Sequence, residues 1–285
     1  MLGNYSIPLG VCLKNLGTPV KVLENTLSNA AQKWAVDLSQ WAIPEYIIAQ
    51  APESPWIHPP AMFTLPAEIP DSPSHQRARE AMPAGGSVLD IGCGGGIAAF
   101  AVAPPAGTVI GVDHQDEMLK MFAESANAKG FEHQEVLGDW PDVSPQTPIA
   151  DVVTCHHVAY NVADIEPFLR ALNSHATKRV VIELPQQHPL SSMRNAWKTF
   201  WDLDRPVNPT PQDLIEVLAE MGKTANLELW QGPKLRPLDI EDDVRFLRIR
   251  LCLDSKRDPE IRKYLESQAP MESRALATIW WDVSK

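Results

Sequence analysis

The run Val88-Leu89-Asp90-Ile91-Gly92-Cys93-Gly94-Gly95-Gly96 constrains this chain more tightly than any other stretch. Val88, Leu89 and Ile91 are strand formers in a short apolar run, and Pro83-Ala84-Gly85-Gly86 supplies the break that starts the strand. Gly92, Gly94 and Gly96 then permit positive φ and let a ligand approach main-chain N–H groups, before Ile97 to Val102 resumes as an apolar helix. The sequence therefore predicts a strand, a glycine-lined cradle and a helix start. About twenty residues on, Thr108 to Asp113 gives a second apolar strand, ending in a carboxylate placed to accept two hydrogen bonds from a ribose diol. A dinucleotide fingerprint, G-x-G-x-x-G, needs a third glycine where Ile97 stands, which disfavours a nicotinamide oxidoreductase.

Taken together, these segments resemble the class I S-adenosylmethionine-dependent methyltransferases. The resemblance implies that Asp90, Gly92, Cys93, Gly94 and Gly96 line the cofactor, and that Asp113, with His114 beside it, holds the ribose. It also implies that Met118, in the helix start Asp116-Glu117-Met118-Leu119, packs on the adenine. Asp139, in Val136-Leu137-Gly138-Asp139-Trp140, falls where the family places an acid on the adenine amine. Trp140 reads equally as a stacking platform and as a packing residue. Asp151 opens a fourth strand whose far end, Cys155 and His156, would face the methionine moiety. The implied fold is α/β, a Rossmann-like doubly wound sheet, mostly parallel with an antiparallel last strand. The implied cofactor is S-adenosylmethionine, and the implied reaction is methyl transfer to a small-molecule acceptor in a dry pocket. A catalytically idle cofactor-binding or regulatory protein of the same fold is the alternative.

Strand and helix signals alternate from Arg77 to Asp239, as in a parallel sheet covered on both faces. Strands are expected near 87–91, 108–112, 134–137, 151–155, 179–184 and 225–230, with Leu276 to Trp281 as the antiparallel last strand. Helices are expected near 97–103, 116–129, 164–174 and 211–221, the last opened by Pro209-Thr210-Pro211-Gln212-Asp213 as a capped start. Two short helices are expected between Thr18 and Gln50, and residues 51–73, rich in proline yet apolar, read as a belt pinned to the surface. The interleaved Val244, Phe246, Leu247, Ile249 and Leu251 with Arg245, Arg248 and Arg250 predict an amphipathic helix within 241–266. The expected division is an N-terminal helical and proline-rich cap, 1–75, and a cofactor-binding domain, 76–285, with cap insertions near 190–210 and 240–270.

Methyl transfer needs a base only where the acceptor must lose a proton, and a neutral imidazole suits that role. His156 and His157 end the fourth strand, where alternation sends one ring toward the cleft and one away. His157 is the first choice for a base, His156 the second, and Tyr160 an acceptor-orienting hydroxyl; His188 follows the fifth strand. No metal is expected, because adjacent strand histidines diverge and diol-binding metal sites favour carboxylate and amide oxygens. A net charge of −11 argues against a nucleic-acid substrate, and no run reaches the roughly eighteen apolar residues that would span a bilayer. Cys12, Cys93, Cys155 and Cys252 show neither metal nor disulfide spacing, which points to a cytoplasmic protein. Tryptophans outside the cofactor motifs, such as Trp34, Trp41 and Trp197, favour a flat or apolar acceptor if they line its pocket. Oligomeric state has no sequence signature here.

Overall fold

A computed structural model describes residues 28–55, 65–233, 239–269 and 273–283. Trp56, Met62 and Phe63 of the proline-rich belt, and Cys12, lie outside the described residues. At the centre is a seven-stranded sheet of β1 (Ser87–Ile91), β2 (Thr108–Asp113), β3 (Glu132–Leu137), β4 (Ala150–His156), β5 (Ala176–Pro185), β6 (Asn226–Pro233) and β7 (Ser273–Asp282). The spatial order is β3-β2-β1-β4-β5-β7-β6. β1 to β5 run parallel, while β7 is antiparallel to both of its neighbours, β5 and β6. Chain order reverses direction between β1 and β4, so the carboxyl ends of β1, β2 and β4 splay around one crevice. Val180, Val181, Ile182 and Leu184 are wholly buried, as the unbroken apolar run of a strand covered on both faces requires.

One face is covered by α1 (Asn29–Ser39), α6 (Ile165–His175) and α8 (Pro211–Glu220), whose Trp34, Leu38, Phe168, Leu172 and Leu214 share a core with Leu89 and Val153. The other carries α3 (Pro73–Ala81), α4 (Ile97–Val102) and α5 (Asp116–Lys129), packed through Ala78, Phe100 and Phe122 on Val88, Val152 and Val181. Pro104 and Pro105 follow α4 and cannot continue it. The α8 start is capped as expected, with Pro211 at the first position and Thr210 N–H donating to the Asp213 carboxylate at 2.7 Å.

A third core joins α2 (Glu45–Ile48), α7 (Arg194–Trp201), α9 (Ile240–Arg250) and α10 (Asp258–Glu266) through Ile47, Trp197, Leu247, Leu251 and Ile261. The described part of the N-terminal segment is therefore shared out: α1 belongs to the sheet's core and α2 to this cap. The single helix expected within 241–266 is two. Cys252 takes a left-handed φ of 56° just past α9, and Asp254 accepts from the Lys256 N–H to start the next turn. Among the described residues, no helix is long and apolar enough to cross a membrane.

Candidate functional site

The cradle forms where β1 ends. Gly92 has a φ of 69°, and its N–H and that of Cys93 both donate to Val112 O, at 2.8 and 3.1 Å, fastening the turn to β2. A Cβ on Gly92 would lie 2.5 Å from Val158 Cγ2, so only glycine lets the turn pass this close to the β4 exit. Gly94 and Gly96 also have positive φ, and Gly96 caps α4 at a point where a Cβ would run into the Phe100 ring.

Asp113 closes the cradle from β2. Its Oδ2 accepts from Gly94 N–H at 3.0 Å and its Oδ1 from Gln115 N–H at 2.9 Å. A carboxylate offers about four acceptor positions, so about two remain for a vicinal diol. Gly138 N–H donates to Asp113 O at 3.0 Å and brings the end of β3, with the exposed Asp139, alongside. His114 is partly exposed, with Nδ1 3.7 Å from Asp113 Oδ1, and Met118 is buried in the first turn of α5. A turn of glycines at positive φ, a strand-end carboxylate with spare acceptors and the buried Met118 beside it together fit a nucleoside carrying an amino-acid arm.

Several expected cofactor residues are placed elsewhere. Asp90 lies under the cradle, 1% exposed, its oxygens taken by Ala99 N–H at 3.2 Å and Thr154 Oγ1 at 3.0 Å. It braces the first turn of α4 against β4. Burial, opposed by those two hydrogen bonds, pushes its carboxyl up to about 7. Cys93 and Cys155 are buried, which leaves neither thiol open to a ligand, and burial pushes both thiols well above their ordinary range. Trp140 is half-buried against the core, its Nε1–H 3.4 Å from Phe168 O and its ring edge-on to His175, contacts that belong to the packing reading.

The crevice has a second polar group at the ends of β4 and β5. His156 and Glu183 are paired in register. Strand alternation would send His157 to the opposite face, but its left-handed φ of 62° turns the ring back, placing Nε2 3.1 Å from Glu183 Oε1. Its N–H donates to Glu183 O at 2.7 Å. A bulky residue at positive φ costs about 1–3 kcal/mol, and such strain concentrates at functional sites. A carboxylate only accepts, so in the neutral form of the His157 ring the proton sits on Nε2 and the lone pair on Nδ1. Burial opposes ionisation of Glu183, but His156, His157 and the Ser74 hydroxyl hold its carboxyl below the usual range.

His156 instead stacks on His75 of α3, with centroids 5.6 Å apart and a buried Nε2 that has no partner among the described residues. Burial pushes it down to about 3, which keeps it neutral and removes it as a base at neutral pH. Tyr160 is also withdrawn: its hydroxyl donates to Pro185 O at 3.0 Å and its ring stacks on Trp34. Burial pushes its hydroxyl well above its ordinary range. Glu183 carries no expectation as a functional residue from its sequence, although an acid within the apolar run Val180 to Leu184 is the signal that marks it.

A methyltransferase domain model matches residues 88–178, the stretch holding the cradle, Asp113, Asp139 and His157. The ubiquinone biosynthesis O-methyltransferase of Psychrobacter arcticus is 34% identical over 96 residues, 33% of this chain and 37% of that protein. The chain belongs to the class I S-adenosylmethionine-dependent methyltransferases. It is accordingly an enzyme whose methyl donor is S-adenosylmethionine. An uncharacterized Haemophilus influenzae protein is 33% identical over 210 residues, 70% of this chain and 77% of that one. The fold agrees with the crystal structure of the Bacillus subtilis protein YcgJ at a TM-score of 0.50 and 18% identity, covering 74% of this chain and 98% of that one. The chain thus spans most of the Haemophilus protein but little more than a third of the ubiquinone-pathway enzyme.

Proposed function

We propose that this methyltransferase acts on a small-molecule acceptor whose attacking oxygen or nitrogen gives up its proton to His157. The observation that carries this reading is the 3.1 Å contact between His157 and Glu183 at the mouth of the crevice. When bound, S-adenosylmethionine supplies a methyl group on a sulfonium that leaves as a neutral thioether, so no acid is needed at the leaving group. Gly92, Gly94 and the main chain at Cys93, Cys155 and His156 take the methionine arm. Asp113 takes the ribose, and Met118 and Asp139 the adenine, with His114 at the rim. Asp90 holds this cradle from beneath and touches no ligand.

Nδ1 of His157 receives the acceptor's proton, and the Glu183 carboxylate stabilises the resulting imidazolium while fixing the ring's direction. In-line placement of acceptor and methyl carbon in a water-poor crevice supplies much of the rate. The acidic chain favours a small or neutral acceptor over nucleic acid. The cap built from α2, α7, α9 and α10 roofs the acceptor side. The free, buried thiols of Cys93, Cys155 and Cys252 fit a reducing, cytoplasmic setting. The test is incubation with methyl-labelled donor and a fractionated metabolite extract. One labelled small molecule, absent with His157→Gln, is expected; cofactor binding with no labelled product would favour an idle binding protein.

A further inference from the structure

Arg205 is 5% exposed and has no acidic partner among the described residues. Its guanidinium donates to Trp41 O and to Ala42 O, and lies over the rings of Trp41 and Trp197 at 5.4 and 5.2 Å. Its Nε has no acceptor among the described residues. Carbonyl dipoles and ring faces replace only part of the hydration such a cation gives up, and a buried charge ordinarily has an anion beside it.

Next to Arg205 is a cavity of about 300 Å³, also bordered by Ser191, Arg194, Asn195, Lys198 and Asp204. Ser191 Oγ is buried without a partner among the described residues. Arg194, half-buried at the first position of α7, pairs with no acid among the described residues. Lys198 is already neutralised by Asp202 at 2.8 Å and Asp204 at 3.0 Å. Among the described residues, one cavity thus gathers two guanidinium groups without an acidic partner, one of them with an unmatched Nε, and a hydroxyl without a partner. Arginine donates and cannot accept, so the ligand it lacks is an acceptor-only group of negative charge.

A relay of ring contacts leads from Arg205 through Trp41 toward the crevice. His188, on the segment leaving β5, stacks on Trp41 at 4.1 Å and meets Tyr160 edge-on at 5.4 Å, and Tyr160 is only three residues from His157. A volume near 300 Å³ is at the lower end for a ligand pocket and suits one charged group with part of its carrier.

We propose that this cavity is an oxyanion site that anchors a carboxylate or phosphate group of the methyl acceptor, with Arg194 and Arg205 as its cations and Ser191 as a donor. That the anchored group belongs to the methyl acceptor rests on the proposed function; the anion site itself does not. An acidic chain that takes an anionic acceptor needs such a local cationic socket, since its overall field repels the ligand.

The experiment is thermal melting of the full chain titrated with inorganic phosphate and, separately, with benzoate, each against sodium chloride at matched ionic strength. A saturable rise in melting temperature is expected with at least one probe: phosphate alone identifies a phosphate group, benzoate alone a carboxylate. Arg194→Gln leaves the Trp41–Arg205–Trp197 stack in place and is expected to weaken the responding probe at least about tenfold. Its binding of S-adenosylhomocysteine should be unchanged. Ser191→Ala is expected to weaken the same probe about threefold, and it judges the site should Arg194→Gln fold poorly. Melting that follows chloride alone, or a probe bound equally by the wild type and both variants, overturns the proposal. Loss of S-adenosylhomocysteine binding in the wild type would instead remove the functional reading and leave the phosphate and benzoate titrations to decide the anion site.

Discussion

Replacing Asp90 by Asn should change how stability depends on pH, by an amount the structure fixes. The Asp90 carboxyl is wholly buried, and desolvation, partly offset by Thr154 and Ala99 and reinforced by the charge of Asp113, raises it from 3.8 to about 7. In the unfolded chain the group ionises near its ordinary value, so between pH 3.8 and 7 the folded state holds a proton that the unfolded state has lost. A raised value of this kind stabilises fully below the unfolded value, and the contribution disappears as pH rises through the folded one. The slope is about −1.4 kcal/mol per pH unit inside that window, which amounts to about 2.5 kcal/mol between pH 5 and pH 8. Asn has no such titration. It still accepts Ala99 N–H, while the Thr154 hydroxyl, already 3.5 Å from Leu89 O, can donate there and accept from the new amide. Urea unfolding of both proteins from pH 5 to pH 8 singles out this group, because the titrations of groups that do not interact with Asp90 cancel in the difference. The stability advantage of the wild type over Asp90→Asn should shrink by about 2.5 kcal/mol across that range. A difference that stays constant with pH would refute the reasoning, since Asp90 would then be ionised at pH 5 in the folded protein.

Two further substitutions address the crevice. Glu183→Gln keeps the shape but removes the charge 3.1 Å from His157 Nε2; Coulomb's law gives about 1.3 kcal/mol fully screened and about 5 at an effective dielectric of 20. With the His157 side chain 38% exposed the screened end weighs more, so kcat/KM for the labelled acceptor should fall about 10–50-fold, with little further loss when His157→Gln is added. Additive losses in the double variant would separate the two residues. Gly92→Ala places a methyl 2.5 Å from Val158 Cγ2 at a φ of 69° and should cost about 2–3 kcal/mol of stability, measured by urea unfolding, together with most cofactor affinity. Wild-type stability and binding in that variant would mean that the turn has room to move.

The seven strands and their parallel core were legible because a doubly covered sheet writes itself as short apolar runs punctuated by glycine and proline. The same run of glycines that locates the cradle also fixes where it opens. What the sequence does not carry is side-chain direction at the strand ends. Asp90 stands two residues before Gly92 and reads as a ligand contact, yet strand alternation turns it under the loop, where Ala99 and Thr154 claim both oxygens. His157 departs from alternation for the opposite reason, since a left-handed residue resets which face its ring meets. Tyr160 has a plausible spacing for catalysis, but its hydroxyl is claimed by a carbonyl twenty-five residues away on β5. Long-range pairings of this kind, including Glu183 with His157, become visible only when the sheet brings β4 and β5 together.

The central claim is that the glycine cradle and the Asp113 carboxylate grip the nucleoside of S-adenosylmethionine. Isothermal titration of S-adenosylhomocysteine into the wild type and Asp113→Asn tests it most directly. Removing the charge weakens the ribose hydrogen bonds and leaves either Gly94 N–H or Gln115 N–H without an acceptor, a loss of about 1.5–3 kcal/mol. Saturable one-to-one binding is expected in the wild type, with about 10–150-fold weaker binding in the variant. A wild type that does not bind S-adenosylhomocysteine, or an Asp113→Asn protein that binds it as tightly as the wild type does, would contradict the claim.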